Sequence, residues 1–426
     1  MRAPTIRLTG PELTLYVLIA ALFWLLRTWY WDITSEEVFS DMSDFQYMAN
    51  CIVHHFCFWW NDFFQTYSPP TVAVLRATQM VLFGESMLAW RIFSATILFS
   101  GVVWLALEIR HLRFGRVLGP LLFASVALSK PSIFWSLKLS REGVGEAFTY
   151  LTIAGILFAL RNRNAWSAML AGGVMIAGVL VRGSAAPLVI LIPLYLLLDG
   201  RSSNPARRRA TLAGWFLFGM MLVWSPWLIR SYRLYGAVVP LSTQAPYAFF
   251  WDLGFVTITL EDGSTITTSA ATLQDEAPKN FANDYEASVY ANRLVRLWIA
   301  EHGAKLPAIM WNRLLHTVSE REVHLTQVPR DRLLPEPVNF ALIDKSELFV
   351  ALGLVGYLFA LALSPRYLLF LLAATVPWVN AGILVGYGRM LEPSLTVILF
   401  GNVAGLAGLI ALVRRRSAST AKVDLN

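Results

Sequence analysis

The sequence contains few charged residues. Only 15% of its 426 residues are Asp, Glu, Lys or Arg, whereas a soluble domain usually carries about 25%. Hydrophobic residues make up 56% of the chain. The net charge of +7 could suggest nucleic-acid binding, but the arginines cluster at the ends of apolar runs, where membrane topology explains them. The composition therefore predicts an integral membrane protein that contacts membrane lipid and binds no nucleic acid.

The sequence also offers little for metal or cofactor binding. Its two cysteines, Cys51 and Cys57, are too far apart to pair on one continuous helix, so a disulfide would require the helix to break there. His54 and His55 point to different sides of a helix, and neither a C-x-x-C nor an H-E-x-x-H spacing occurs. Glycine-rich phosphate-binding motifs are lacking as well. We therefore expect no metal site and no cofactor.

Ten apolar runs approach the roughly 20 residues that a transmembrane helix needs. They are predicted at 12–31, 87–108, 117–137, 144–160, 165–181, 184–198, 211–229, 347–363, 367–386 and 391–412. The segments at one end of these spans carry sixteen basic residues and only four acidic ones. By the positive-inside rule this end faces the cytoplasm, which places both termini there.

Two long segments are then expected on the outer side of the membrane. The first loop, 32–86, interrupts an N-terminal transmembrane module that extends over 1–229. The second loop, 230–346, is followed by C-terminal transmembrane helices over 347–413 and a cytoplasmic tail over 414–426. The first loop is expected to contain interfacial helices, and the polar residues 417–426 are expected to be disordered.

The second loop has the pattern of a small α+β unit. Apolar and polar residues alternate over 255–268 around Asp262-Gly263, which predicts a β-hairpin. Residues 284–319 predict one or two amphipathic helices with a break at Pro307. The fold class is therefore an all-α polytopic membrane protein of about ten transmembrane helices with a small α+β extramembrane segment.

Acidic residues occur at two positions on the expected outer side. Asp41 and Asp44 follow the first span and share one face of a helix, where a carboxylate can serve as general base for a hydroxyl. Solvated acidic side chains on an interfacial helix are the simpler explanation. Glu142 and Glu146 begin the span at 144–160. A lone carboxylate at the depth of Glu146 is costly, so pairing with an arginine is the alternative there.

Several arginines depart from the positive-inside pattern because they lie on the outer side. These are Arg182, Arg230, Arg233 and Arg389. Arg27 and Arg91 lie within or near apolar spans, and an arginine in lipid costs at least roughly 2.5–3.5 kcal/mol. A planar guanidinium can hold a phosphate through two hydrogen bonds. The alternatives are snorkelling to the interface and, for Arg91, a structural ion pair.

Several motifs follow one another in a recognisable order. Their residues are Asp41, Phe45 and Ala49; Tyr67-Ser68-Pro69-Pro70 and Phe83-Gly84; Glu142 or Glu146; Arg182-Gly183; Pro226-Trp227, Arg230, Tyr232, Arg233 and Gly236; and Arg389 with Glu392-Pro393. In this order the sequence resembles the GT-C glycosyltransferases, in particular the bacterial branch similar to lipid A aminoarabinose transferases and protein O-mannosyltransferases. The resemblance extends over about 12–412 and is weakest over 240–340.

This resemblance implies an inverting glycosyltransferase of a bacterial inner membrane, with its active site on the periplasmic side. The donor would be a sugar on a polyprenyl phosphate such as undecaprenyl phosphate, and the acceptor a lipid, glycan or protein hydroxyl. Asp41 would be the base, and Asp44 and Glu142 further acidic candidates. The four outer arginines would bind the leaving phosphate. Tyr67 and Glu146 are further substrate-binding candidates.

Two departures from the family pattern bear on the sugar. Ser68 stands where aminoarabinose transferases have Lys, and Phe45 stands where they have Tyr. Both argue against aminoarabinose. Two other functions remain open at this stage: an envelope polysaccharide polymerase or ligase, and a flippase or transporter of lipid-linked sugars. Transporters often contain inverted repeats, and the sequence has none that stands out, so the transferase is preferred.

Overall fold

A computed structural model describes residues 8–31, 41–58, 61–198, 206–319, 347–384 and 391–423. In the first half of the chain, the helices are α1 (Gly10–Trp29), α2 (Asp41–Asn50), α3 (Thr71–Phe83), α4 (Met87–Ile109), α5 (Gly115–Leu128), α6 (Lys130–Ser136), α7 (Arg141–Asn162), α8 (Ala165–Val179), α9 (Leu188–Leu198) and α10 (Ala206–Tyr235). In the second half they are α11 (Ala245–Phe250), α12 (Ala270–Asn280), α13 (Asp284–His302), α14 (Leu306–Ser319), α15 (Glu347–Ala360), α16 (Tyr367–Leu384) and α17 (Glu392–Val423).

Five of these helices are long and apolar enough to cross a membrane: α1, α4, α7, α10 and α17. The other five predicted spans correspond to shorter apolar helices, which are α5, α8, α9, α15 and α16. The predicted helical membrane fold is thus confirmed. Two spans are less regular than expected. The span at 117–137 is broken at Ser129 into α5 and α6, and the span at 184–198 begins with a 3₁₀ turn, Gly183–Ala185.

Contacts at the helix ends show that α4 runs opposite to α1 and in the same direction as α7. Arg110, which follows α4, donates to Glu12 at the start of α1 at 2.8 Å, and Arg161 near the end of α7 binds Glu108 at 2.7 Å. We call this the basic end of the bundle. At the opposite end, Nη1 of Arg91 donates to the carbonyl of Trp31 at 2.8 Å. The last residues of α1 and the first residues of α4 therefore lie together at the side of the bundle opposite the basic end.

Small residues allow the transmembrane helices to approach closely. Gly172 of α8 and Gly219 of α10 face each other's helices so tightly that an added Cβ would collide with the backbone carbonyl of Phe216 or Met169. Glycines of α15 and α17 make the same kind of contact. Such packing is typical of helices in lipid, where close van der Waals contact replaces the hydrophobic drive available in water.

The first loop contains the two interfacial helices that were predicted, α2 and α3. Helix α2 continues into a π-helical turn, Cys51–His55, which ends at Phe56 in a left-handed conformation. The chain reverses enough there to bring the Cα atoms of Cys51 and Cys57 to 5.1 Å, and the two residues form a disulfide. The helix thus breaks between the two cysteines, which is the condition that the sequence set for a disulfide.

The second loop forms the predicted α+β unit. Strands β1 (Val256–Thr259) and β2 (Thr265–Thr268) pair antiparallel with Ile258 opposite Ile266, and Gly263 takes the positive φ that the turn requires. Helices α13 and α14 are separated by the turn Gly303–Lys305, so the break precedes Pro307 and does not coincide with it.

The two loops share one hydrophobic core. Phe64 and Tyr67 of the first loop pack with Tyr247, Phe250 and Trp298 of the second loop. The first loop and the second loop therefore pack directly on each other. The chain end differs from its prediction: the polar residues from Ser417 onward, expected to be disordered, continue α17 as far as Val423.

Candidate functional site

Helix α2 carries the predicted acidic pair at the end of the bundle opposite the basic end. Asp41 is its first residue, and Asp44, which is partly buried, follows one turn later. The buried ring of Phe45 anchors this part of α2 in a cluster with Leu139, Val144 and Val181, which precede or begin α7 and follow α8. The apolar contacts of Phe45 therefore place the acidic helix against the starts and ends of two transmembrane helices.

Arg141, the first residue of α7, joins this helix to the second loop. Its guanidinium carbon lies 5.5 Å from the ring centroid of Phe45, and Nη1 donates to Oε1 of Gln244 at 2.8 Å. Sequence analysis did not select Arg141, although it stands directly before the acidic residues of its motif. The first loop, α7 and the second loop thus meet at one guanidinium.

Glu142 follows Arg141 and is nearly buried, with 6% of its surface exposed. In the part of the chain that the structure describes, its carboxylate receives no hydrogen bond and forms no ion pair. Its carboxylate oxygens are not among the buried polar atoms that lack a partner, so they remain accessible although most of the residue is covered. An accessible carboxylate with no partner in the described ranges is free to contact a substrate. Glu142 therefore stays an acidic candidate.

Glu146, one turn further along α7, has a different environment. Its carboxylate accepts hydrogen bonds from Tyr150 at 2.6 Å and from Thr396 of α17 at 3.2 Å, and it interacts with Ser132 of α6. The Ser132 hydroxyl in turn accepts from Nη2 of Arg27 at 3.1 Å. The structure thus brings Glu146 close to an arginine, as the alternative explanation required. Its part in substrate binding stays a prediction.

Arg182 lies where α8 ends, beside the proline motif of the first loop. The amide of Thr71 donates to the carbonyl of Leu180 at 3.3 Å, and its hydroxyl donates to the carbonyl of Ala177 at 3.0 Å. These bonds fix the start of α3 against the end of α8. Asn380 of α16 donates to the carbonyl of Ser184 at 2.9 Å, so the end of α16 reaches the same place. Arg389, which follows α16, lies outside the described residues.

Arg230 occupies the end of α10 between two aromatic rings. Its guanidinium carbon is 5.1 Å from the ring centroid of Phe58 and 5.4 Å from that of Trp227. Nη2 donates to the carbonyl of Phe58. Arg233, one turn further, is exposed. The structure therefore holds Arg230 against the first loop, whereas Arg233 is turned towards the surroundings.

Asp284, at the start of α13, connects the two loops near Arg230. It is fully buried and accepts hydrogen bonds from the backbone amide of Thr66 at 2.8 Å, from Thr243 at 3.0 Å and from the Tyr235 hydroxyl at 2.5 Å. Sequence analysis missed it because an Asp after Asn283 resembles an ordinary helix-capping residue. Tyr67, a predicted substrate-binding residue, has its hydroxyl hydrogen-bonded by Gln274 of α12 and is buried in the shared core.

Burial shifts the pKa of three groups around the loops. It raises the pKa of the Tyr247 hydroxyl, to which the charge of Asp284 adds. It lowers the pKa of the Lys138 ammonium, and the charge of Arg91 lowers it further. Burial also lowers the pKa of Arg76, whose guanidinium donates to Gln46 of α2 at 2.9 Å and to the carbonyl of Glu85 at 2.6 Å. Arg76 thereby ties α2 to the turn that follows α3.

A metal centre is not apparent in the described ranges. Among their residues, no three His, Cys, Asp or Glu side chains come together as a potential metal site. What the arrangement does offer is an acidic helix, a buried carboxylate and two arginines from separate helices, all at one end of the bundle.

The sequence matches no family model, and no curated protein matches it by sequence. Its fold is nevertheless similar to that of known structures. The archaeal oligosaccharyltransferase AglB from Archaeoglobus fulgidus, solved with an inhibitory peptide and a dolichol-phosphate, gives a TM-score of 0.55 at 13% identity over 96% of this chain and 51% of that chain. The apo form of the Archaeoglobus fulgidus enzyme gives a TM-score of 0.55 at 12% identity, covering 97% and 52% of the two chains.

A structure of ArnT from Cupriavidus metallidurans with undecaprenyl phosphate gives a TM-score of 0.46 at 12% identity, covering 91% of this chain and 77% of that one. This chain spans about half the length of the two archaeal structures described above. At these identities the likeness concerns the fold alone: the chain has a helical membrane fold similar to that of the archaeal oligosaccharyltransferase, as the resemblance led us to expect.

Proposed function

We propose that this protein is a GT-C-type glycosyltransferase that moves a sugar from a polyprenyl-phosphate donor to an acceptor hydroxyl. The observation that carries the proposal is the meeting of α2 with the start of α7: Phe45 of the acidic helix lies against Arg141, directly beside Glu142, whose carboxylate is accessible and has no partner in the described ranges. The fold supports this proposal, because a structure with the same fold was solved with a dolichol-phosphate.

In the proposed reaction Asp41 takes the proton of the acceptor hydroxyl. The acceptor oxygen then forms a bond to the anomeric carbon while the bond between that carbon and the phosphate oxygen breaks. The electron pair of the broken bond leaves with the polyprenyl phosphate. Attack on the side opposite the phosphate inverts the configuration. Asp44 and Glu142 are the further acidic groups that would orient the acceptor or accept the proton.

The leaving phosphate gains negative charge during the reaction, and donors already held in place stabilise that charge without reorganisation. Arg230 is the best-placed candidate, because aromatic rings and the Phe58 carbonyl fix its guanidinium. Arg182 lies at the end of α8 beside the proline motif. Arg389 and the exposed Arg233 are the other candidates for binding the phosphate or the lipid surface near it.

We further infer that this end of the bundle faces the outer side of a bacterial cytoplasmic membrane, with both termini in the cytoplasm. The basic residues at the other end support this orientation. So does the disulfide between Cys51 and Cys57 in the first loop, because disulfides persist mainly in oxidising compartments. Undecaprenyl phosphate is the carrier that such a location favours.

The acceptor is proposed to be chosen by the second loop, which packs on the first loop and whose Gln244 accepts from Arg141, next to Phe45 of the acidic helix. A lipid, a glycan and a protein remain alternatives for that acceptor. Ser68 and Phe45, which differ from the aminoarabinose transferases, favour another sugar.

The test is sugar transfer from a panel of polyprenyl-phosphate sugars in membranes that contain the wild type or Asp41→Asn. We expect Asp41→Asn to lower the rate by about 10²-fold or more. Asp275→Asn, which changes an exposed acid of α12, is the matched control and should keep the wild-type rate. Equal amounts of folded protein must be verified first.

Two outcomes would contradict the proposal in different ways. Full activity of Asp41→Asn would move the base to Asp44 or Glu142. A wild type that moves lipid-linked sugar across liposome membranes but transfers none to any acceptor would instead favour the flippase. Formation of long polymers from one lipid-linked precursor would indicate the polysaccharide polymerase or ligase.

A further inference from the structure

Arg141 stands at a position where a cation is electrostatically unfavourable. It is the first residue of α7, and the N-terminal end of a helix carries a partial positive charge that repels a guanidinium. Ser140 already caps this end by accepting from the amide of Gly143, so the helix does not need the arginine in order to begin. A residue that breaks a local rule of stability is a candidate for a functional role.

The backbone around Arg141 is held firmly by the bundle. Gly143 is packed so closely that an added Cβ would collide with the backbone carbonyl of Trp135 in α6. The indole of Trp90 donates to the carbonyl of Lys138 at 3.1 Å, which holds the segment before α7. The start of α7 is therefore a fixed point, and the side chain of Arg141 extends from it to other parts of the chain.

One contact of this guanidinium is with the acidic helix. Its carbon lies 5.5 Å from the ring centroid of Phe45, where a cation is attracted by an aromatic ring. Phe45 is fully buried, and in α2 it follows Asp41 by one turn and Asp44 by one residue. A change in the position of the Arg141 guanidinium is therefore transmitted to Phe45 and, through α2, to the proposed base.

Another contact of the same guanidinium is with the second loop. Nη1 of Arg141 donates to Oε1 of Gln244 at 2.8 Å. Gln244 is itself held in place by its neighbour Thr243. The Thr243 hydroxyl donates to the Asp284 carboxylate at 3.0 Å, and its amide donates to the carbonyl of Thr66 at 3.1 Å. A displacement of this part of the second loop is therefore passed to Arg141 through the Gln244 amide.

We propose that Arg141 is a positioning residue that couples the second loop to the acidic helix. The hydrogen bond to Gln244 holds the guanidinium against Phe45, and Phe45 sets where α2 presents Asp41. The role of Asp41 as base and of the second loop in acceptor choice rests on the proposed function. Because a small displacement of a base lowers the rate, the position of the second loop then governs how fast a bound acceptor reacts.

Hydrogen exchange of the purified full chain in detergent tests the coupling without any sugar transfer. Gln244→Ala removes the acceptor that the second loop offers to Arg141. We expect the backbone amides of α2 to exchange about threefold faster or more in this variant, although the substitution lies in the other loop. Asn292→Ala is the matched control, because it truncates an exposed amide of α13 that donates to the carbonyl of Ser288 in its own helix. It should leave exchange in α2 unchanged.

Transfer kinetics test whether the coupling serves the reaction. Arg141→Met keeps an apolar stem against Phe45 and removes the donor. Arg141→Met and Gln244→Ala should each lower kcat by about 10-fold with an unchanged KM for the lipid donor. The double variant should be no slower than the slower single variant, because both changes break the same link. Gln244→Glu keeps an oxygen acceptor and should recover kcat to within about threefold of the wild type.

Several results would overturn the inference. Unchanged exchange of α2 in Gln244→Ala would do so, and so would rate losses of the two single variants that multiply in the double variant. A lower melting temperature of Arg141→Met with an unchanged kcat would make the residue structural. Faster exchange of α2 together with a wild type that transfers no sugar from any donor would defeat the proposed function only. Wild-type kinetics of Gln244→Ala would defeat this inference only.

Discussion

The hydroxyl of Tyr235, the last residue of α10, donates a hydrogen bond of 2.5 Å to the buried carboxylate of Asp284 in the second loop. The same carboxylate accepts from Thr66 of the first loop. One side chain therefore joins a transmembrane helix to both loops, immediately beside the guanidinium of Arg230. The placement of the candidate phosphate site depends on this junction.

Asp284→Ala is expected to loosen the junction, because Thr66, Thr243 and Tyr235 lose a buried acceptor. Each donor left unsatisfied costs about 1–3 kcal/mol. Thermal unfolding of the purified protein should shift to lower temperature, and limited proteolysis should cut the second loop sooner. Asp275→Ala removes an exposed acid of the neighbouring helix α12 and should change neither. Equal melting temperatures for both variants would show that Asp284 does not hold the loops together.

Replacing Glu142 or Glu146 of α7 with glutamine should affect the melting temperature and the transfer rate in opposite ways. The Glu142 carboxylate has no hydrogen-bonding partner in the described ranges to lose, so Glu142→Gln should preserve the melting temperature while it lowers the transfer rate by about 10²-fold. Glu146 accepts from Tyr150 and Thr396. Glu146→Gln should therefore lower the melting temperature, since truncating one member of a buried polar network is destabilising.

Melting temperature and transfer rate of the two variants, measured side by side, decide the roles of these residues. A stability loss in Glu142→Gln with an unaffected rate would make Glu142 structural. A large rate loss with unchanged stability in Glu146→Gln would place that residue in the site.

Apolar runs, the positive-inside pattern and the alternation around Asp262-Gly263 were sufficient to predict the helical membrane fold and the hairpin, because both follow from local sequence and from the bilayer. The break at Ser129 was not predictable, since hydropathy does not register a capping hydroxyl inside an apolar run. The sequence tied a Cys51–Cys57 bond to a helix break but could not predict the break, because it depends on a left-handed residue, Phe56, that has no sequence signal.

The candidate site was predicted only in part. The order of the motifs selected Arg230 and the acidic positions, but not their partners from distant segments. Arg141 contacts Gln244, which is 103 positions away, and Asp284 binds Thr66, which is 218 positions away. Such pairings are set by tertiary packing, and no residue spacing along the chain predicts them. Arg389 lies outside the described residues, and its role stays a prediction.

Arg76 is expected to position α2 for catalysis. It is buried, and its guanidinium connects Gln46 of α2 with the carbonyls of Glu85 and Ser86. Arg76→Lys keeps the charge but loses the planar set of donors. We expect kcat to fall by about 10-fold or more with little change in the KM for the lipid donor, because α2 carries the proposed base, Asp41, and a small displacement of that base would lower the rate.

The control for Arg76 is Arg293→Lys, which changes an exposed arginine that pairs with Glu261 of the hairpin turn. This variant should keep both kinetic constants, because exposed ion pairs contribute little. If Arg76→Lys changes the melting temperature without changing kcat, the residue supports the first loop and does not orient the base.

The disulfide provides a test of membrane orientation that is independent of activity. If the first loop faces the oxidising side, Cys51 and Cys57 should resist a maleimide-polyethylene glycol reagent in denatured membranes until a reductant is added, and the reagent should then add two labels. Cys51→Ser should leave Cys57 open to labelling without reduction. In this experiment, alkylation is used to block thiol exchange during denaturation. If both cysteines of the wild type are then labelled without reductant, this loop lies in a reducing compartment. The basic end of the bundle would then face outwards, contrary to the positive-inside rule.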